Sequence, residues 1–250
     1  MNFIQWGRSA GFFCISAVLL SASPTFAQSE AKTLKFSGFD WKVRGAGKGG
    51  PGPNQWDAQN VWLDSQGYLH LKIRKVGAEW RCAELSTTTR QGFGMYSFAL
   101  IGRPDTFDSN IVLGLFTYPT PDVGTDGTNE IDIEFAHWGN PKWNIGNYTV
   151  YPASGPAPEN KSHTFPFTLN GDTSLHRFRW VSDRIVYDSY QGHIVRPEQR
   201  IATWTYAPMD SRLIPQKPVP LHLNLWLFQG KPPTDGKEVE VILKSATYTP

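Results

Sequence analysis

The stretch Asn129-Glu130-Ile131-Asp132-Ile133-Glu134-Phe135 sets acids and apolar residues in strict alternation. A two-residue period is that of an extended strand, whose successive side chains point to opposite faces. Glu130, Asp132 and Glu134 therefore share one face, while Ile131, Ile133 and Phe135 pack behind them. The strand belongs to a sheet with one face on a core and three mutually repelling carboxyls on the other.

The rest of the chain has the same character. Strand-like runs recur over residues 33–36, 61–63, 68–73, 95–101, 111–118, 130–135 and 143–151, and again over 176–180, 184–187, 221–226 and 239–243. Clusters of Gly, Pro, Asn and Asp separate them, and no convincing helix-period stretch follows the N-terminus. Many short strands with turn signals predict an all-β sandwich or barrel. No internal repeat and no linker divides the chain.

Residues 1–27 read as a secretory signal: Arg8 gives a positive start, residues 11–22 an apolar run, and Thr25-Phe26-Ala27 a small-residue cleavage site. The run is too short to span a bilayer. Residues 28–250 then form one domain, secreted to the periplasm or the exterior. Of the charged residues, cleavage removes Arg8 alone, which lowers the formal charge from +2 to +1. That balance gives no electrostatic case for nucleic acid or an anionic membrane as partner. Cys14 leaves with the signal, so Cys82 stands alone, with no internal disulfide, as a buried small hydrophobe.

Residues 45–53, Gly-Ala-Gly-Lys-Gly-Gly-Pro-Gly-Pro, only superficially suggest a phosphate-binding loop. No Ser or Thr follows Lys48, and prolines stand where a helix should begin. A flexible surface loop near the cleft is the expectation, with residues 152–166 a second, rim loop. The six histidines show no ligand spacing. His70 and His222 alternate with apolar residues and read as satisfied strand histidines.

Three acids on one strand face suit carboxylate chemistry on a sugar. Alternate Cα atoms lie roughly 6.6 Å apart, and those of Glu130 and Glu134 about 13 Å. A retaining pair needs its carboxyl groups about 5–5.5 Å apart. The two glutamates must therefore lean together over Asp132 on the concave face of a bent sheet. One would be ionised to attack the anomeric carbon and the other protonated to serve the leaving oxygen; spacing alone does not say which. Three acids in five residues also suit calcium, although such sites draw on loop carbonyls and irregular backbone. Ten tryptophans offer apolar surfaces for stacking on sugar rings.

The chain resembles glycoside hydrolase family sixteen, and within it the bacterial lichenases. Glu130-Ile131-Asp132-Ile133-Glu134 matches the family's E-I-D-I-E strand, with no residue inserted before the last acid. In the same order, Glu84 through Gly92-Phe93-Gly94-Met95-Tyr96, residues 111–118 with Gly124-Thr125, and Asn224-Leu225-Trp226 match further blocks. The resemblance covers most of residues 28–250. It implies a concanavalin-like jelly-roll β-sandwich and a retaining mechanism, with Glu130 as nucleophile, Asp132 assisting and Glu134 as acid/base. It also implies that Glu84, Phe116, Asn224 and Trp226 line the glycan cleft, with Asn144 or Asn147 as a further cleft asparagine.

The departures concern the subsites. Lichenases carry a tryptophan where this chain has Thr128, and an arginine where it has Ser86. Lys244 stands where their structural-calcium aspartate would fall, so no metal and no cofactor is expected. Trp138 and Trp143 follow the acidic strand and are candidates for the missing stacking. The expectation is a monomeric, secreted, retaining endo-β-glycanase acting on a β-1,3- or mixed β-1,3/1,4-glucan. Agar, carrageenan or xyloglucan as substrate, transglycosylation, and a non-catalytic lectin-like jelly roll are the alternatives.

Overall fold

The computed structural model describes residues 32–153 and 161–250, so the signal expected over residues 1–27 lies outside it. Two antiparallel sheets pack face to face. The inner sheet runs in the order β1 (Thr33–Phe36), β2 (Phe39–Val43), β7 (Glu79–Gln91), β16 (Val219–Leu227), β9 (Ile111–Thr117), β10 (Glu130–Ala136), β11 (Gly146–Tyr151) and β12 (Lys161–Phe165). The outer sheet runs β5 (Val61–Leu63), β6 (Leu69–Val76), β17 (Val239–Thr249), β8 (Gly94–Ile101), β13 (Thr173–Trp180), β14 (Ile185–Gln191) and β15 (Arg200–Tyr206). A small hairpin of β3 (Gly47–Gly49) and β4 (Asn54–Trp56) lies beside them, with β4 parallel to β7. The helical elements among the described residues are single 3₁₀ turns. This is the expected jelly-roll sandwich.

The period-two pattern is what makes the sandwich. Ile131, Ile133 and Phe135 are wholly buried between the sheets, each contributing about 1.5–3 kcal/mol of apolar burial. Tyr148 of β11 stacks on Tyr187 of β14 with ring centroids 4.7 Å apart. Both rings keep a polar tip satisfied: the Tyr148 hydroxyl bonds Ser189 Oγ at 2.6 Å, and the Tyr187 hydroxyl donates to the Thr149 carbonyl at 2.9 Å. Ser189 continues to His176 Nδ1 at 2.8 Å, and the far ring nitrogen meets Ser174 Oγ at 2.8 Å. Burial pushes the His176 pKa down to about 3, so the ring is a neutral strut beneath the acidic strand.

Several strands lie where none was expected. β7, thirteen residues long, carries the polar run Ser86-Thr87-Thr88-Thr89-Arg90, which hides its alternation. Thr87 is nonetheless buried, donating to the Thr89 carbonyl at 2.7 Å. β15 is an edge strand, half exposed over most of its length, so it lacks a clean apolar face. The surface loop over residues 45–53 contains β3, and the rim loop over 152–166 contains β12, paired with β11. Residues 143–145, expected in a strand, precede β11 instead. Cys82 is buried as expected, with its thiol pushed up to about 12 by desolvation.

Candidate active site

Directly paired residues of an antiparallel sheet share a face. The register therefore writes two cross-strand rows on the open side of the inner sheet. One row reads Glu84, Asn224, Gly114, Glu134 and Asn147, across β7, β16, β9, β10 and β11. The next reads Ser86, His222, Phe116, Asp132 and Thr149 across the same strands. Above these rows lies a cavity of about 690 Å³ lined by all three acids of β10, together with Glu84, Phe116, Trp138, Asn224 and Trp226.

Gly114 is a requirement of this floor. A Cβ there would stand 2.4 Å from Asn224 Oδ1 and 3.2 Å from the Phe116 ring. Its absence leaves the room that Asn224 and Phe116 occupy across from Glu134.

Burial and mutual repulsion shape the trio. Burial first, then the charge of Glu134 and that of Asp126, pushes Glu130 up to about 8, against a hydrogen bond from Asp132 that lowers it. Burial pushes Glu134 up to about 7. Asp132 lies well above the usual carboxylate range, through burial and the neighbouring glutamates, and its bond to Glu130 favours the protonated form. Its Oδ2 is buried without a partner, a position a charged carboxylate would not tolerate. Mutual repulsion and the contact between Asp132 and Glu130 make the three carboxyls titrate as a unit that holds fewer charges than three free carboxyls would.

The walls come from loops. Trp138 has left-handed backbone (φ 53°), which turns the chain back at the end of β10. Its indole nitrogen donates to Asn147 Oδ1 at 3.3 Å, and its ring lies 6.3 Å from that of Trp226 and 5.7 Å from Phe228. On the opposite side stand Tyr118, Asp126, Gly127 and Tyr151. The Tyr118 hydroxyl donates to Asp126 Oδ1 at 2.7 Å. The loop carrying Asp126 is tied down by Arg90, whose guanidinium grips Asp122 in two bonds of 2.8 and 2.9 Å.

Not every expected residue is brought together. Trp143 is more than half exposed and lies outside the cavity lining, because the turn after β10 carries it past the rim. Asn144 is exposed, and Asn147 is buried beneath Trp138, its amide donating to the carbonyls of Ala136 and Ile145. His70 is held between Glu240 and Asp64, as a satisfied strand histidine. His222, read the same way, lines the cavity instead, with Nδ1 3.5 Å from Glu84 Oε1 and its ring beside Phe116 and Tyr118. Arg44 was not anticipated at all. It donates to Glu84 Oε2 at 2.7 Å and lies 4.2 Å from the Trp56 ring centroid. Burial alone would raise the Glu84 carboxyl, but His222 and Arg44 outweigh it and hold Glu84 below its ordinary value.

The fold is that of solved β-glucanases. The chain is similar to a Bacillus licheniformis β-glucanase (TM-score 0.62, 22% identity, 84% of this chain and 92% of that one). It is also similar to a prokaryotic β-1,3-1,4-glucanase (lichenase) from a mouse hindgut metagenome (TM-score 0.60, 24% identity, 84% and 92%). A third similar structure is an immunostimulatory antigen and pseudo β-1,3-glucanase of Mycobacterium tuberculosis (TM-score 0.59, 21% identity, 81% and 88%). No protein-family model and no curated protein sequence matches the chain.

Proposed function

We propose that the chain is a secreted, retaining β-glycanase of glycoside hydrolase family sixteen, with residues 28–250 as its catalytic domain and a β-1,3- or mixed β-1,3/1,4-glucan as substrate. The observation that carries this reading is the trio on the cavity floor: Glu130, Asp132 and Glu134 line one groove in which burial raises all three carboxyls, Glu130 to about 8 and Glu134 to about 7. Coupled carboxyls with such close values share protons, and the match to the family's E-I-D-I-E strand gives the acid's proton to Glu134 and leaves Glu130 as the nucleophile. The Glu130 carboxylate attacks the anomeric carbon as Glu134 gives its proton to the glycosidic oxygen, the C–O bond breaks and a glycosyl ester forms. Water then attacks the anomeric carbon as Glu134 takes its proton, and the bond from that carbon to the Glu130 oxygen breaks, releasing the Glu130 carboxylate. Glu84 is kept ionised and hydrogen-bonded, so it suits sugar hydroxyls rather than proton transfer. No cofactor takes part in this scheme.

A lectin-like binding module is the second reading, favoured by a structural neighbour described as a pseudo β-1,3-glucanase. The complete trio argues for turnover. The test is reducing-end release on lichenan, laminarin, barley glucan, xyloglucan, agarose and carrageenan, with Glu130→Gln as control. Release from a glucan, abolished in the variant and giving first a product of retained configuration by NMR, is expected. Binding without release on every substrate would leave the lectin reading.

A further inference from the structure

The floor row does not stop at Glu84. Arg44 follows the last residue of β2, and its backbone N–H donates to the Glu84 carbonyl at 2.9 Å, so it stands one strand further along. Its guanidinium reaches from Glu84 Oε2 on the floor to the carbonyl of Gly50 in the wall loop, both at 2.7 Å. The bar is braced from behind. The guanidinium lies over Trp56, Trp56 Nε1 bonds the Gly49 carbonyl at 3.0 Å, and a Cβ on Gly49 would meet the Arg44 guanidinium at 2.7 Å. The loop itself is anchored where Asn54 donates to the carbonyls of Pro51 and Leu227. Beyond the bar lies a separate hollow of about 170 Å³, lined by Lys42, Leu85 and Ser86, which shares Arg44 and Glu84 with the main cavity.

We propose that the Arg44–Glu84 pair, tied to Gly50, is an end wall that closes the glycan groove on the β2 side and fixes how many sugar units fit between it and Glu134. This rests on the glucan reading of the same groove. The groove runs across the strands, between the Tyr118–Asp126 wall and the Trp138–Pro51 wall. From β10 to β7 is three strand steps. At about 4.8 Å per step this is about 14 Å, enough for about three β-linked glucose units. The terminal unit would place its hydroxyls against Glu84, whose carboxylate is held in one orientation by Arg44 and His222. An open groove implies cleavage anywhere along a chain. A wall instead sets the cut at a fixed distance from a chain end, and the endo mode gives way to release of short oligosaccharides of one length.

The test is the length dependence of binding. A ladder of β-1,3- and mixed-linkage gluco-oligosaccharides is titrated calorimetrically into Glu130→Gln protein, and into the same protein carrying Arg44→Ala or Arg44→Met. The methionine keeps an apolar stem on Trp56, which guards against loss of the fold. Affinity should level off with chain length in the parent. In both variants it should rise for at least one further unit, by about fivefold, the effect of one added hydrogen bond. An unchanged levelling point in a folded variant overturns the wall. Failure of every oligosaccharide to bind the parent protein overturns the glucan reading, and the wall with it.

Discussion

Asn224 Oδ1 occupies the place a side chain on Gly114 would need, 2.4 Å from the Cβ position, directly across the sheet from Glu134. The glycine is therefore part of the site without offering an atom to substrate. Gly114→Ala should push Asn224 and Phe116 up into the cavity, at a cost of about 1–3 kcal/mol of overpacking. The expected result is a fall in kcat/KM of about tenfold or more against a melting temperature lowered by only a few degrees. Unchanged kinetics would mean that the floor can relax around the added methyl.

The raised carboxyls also shape stability. Glu130, ordinarily near 4.5, is pushed up to about 8 and Glu134 to about 7. Between the unfolded and folded values the native state binds more protons than the unfolded chain, so stability falls as pH rises. The melting temperature should drop from about pH 5 towards pH 8, then level off once the trio has titrated. Asp132→Asn takes one of the three coupled carboxyls out of the cluster, so the drop should be shallower and the variant more heat-stable than the parent at pH 8. A parallel profile for parent and variant would refute the assignment of the slope to these residues.

Arg90 and Asp122 are both exposed, and their pairing is worth little to the fold in water. Its effect should appear in binding, because it holds the loop that presents Asp126 and Gly127 to the groove. Arg90→Ala is expected to raise KM several-fold with kcat and melting temperature nearly unchanged. A fall in kcat alone would move Arg90 from positioning the loop to supporting the chemistry.

With Lys244 in place of the expected aspartate, a chelator should leave the melting temperature where it is. Differential scanning fluorimetry with and without EDTA is sufficient. A fall of several degrees, restored by calcium, would reveal a structural ion.

The acidic strand was legible because one face is wholly apolar and the other wholly acidic, so its period could hardly be misread. The sandwich followed from that strand and its turn-bounded neighbours. β2 carries the same signal, since Phe39-Asp40-Trp41-Lys42-Val43 alternates as cleanly as β10. β7 did not, since Ser86 to Arg90 are polar on both faces. In the site, Glu84, Phe116, Asn224 and Trp226 came from resemblance, and the cavity gathers them. Arg44 and His222 could not be found that way. Their place depends on which strands lie side by side, and β2, β7 and β16 are far apart in sequence. Trp143 is the opposite case, near the acids in sequence but outside the cavity in space.

That strand order has a consequence for how the molecule comes into being. β16 lies between β7 and β9, so the floor of the groove has a gap until residues 219–227 are in place. Until then the strands that carry Glu84 and Glu134 are not hydrogen-bonded through a common neighbour. A nascent polypeptide that stops before residue 219 thus has no continuous groove floor, and the cavity takes shape only as the last two strands are delivered.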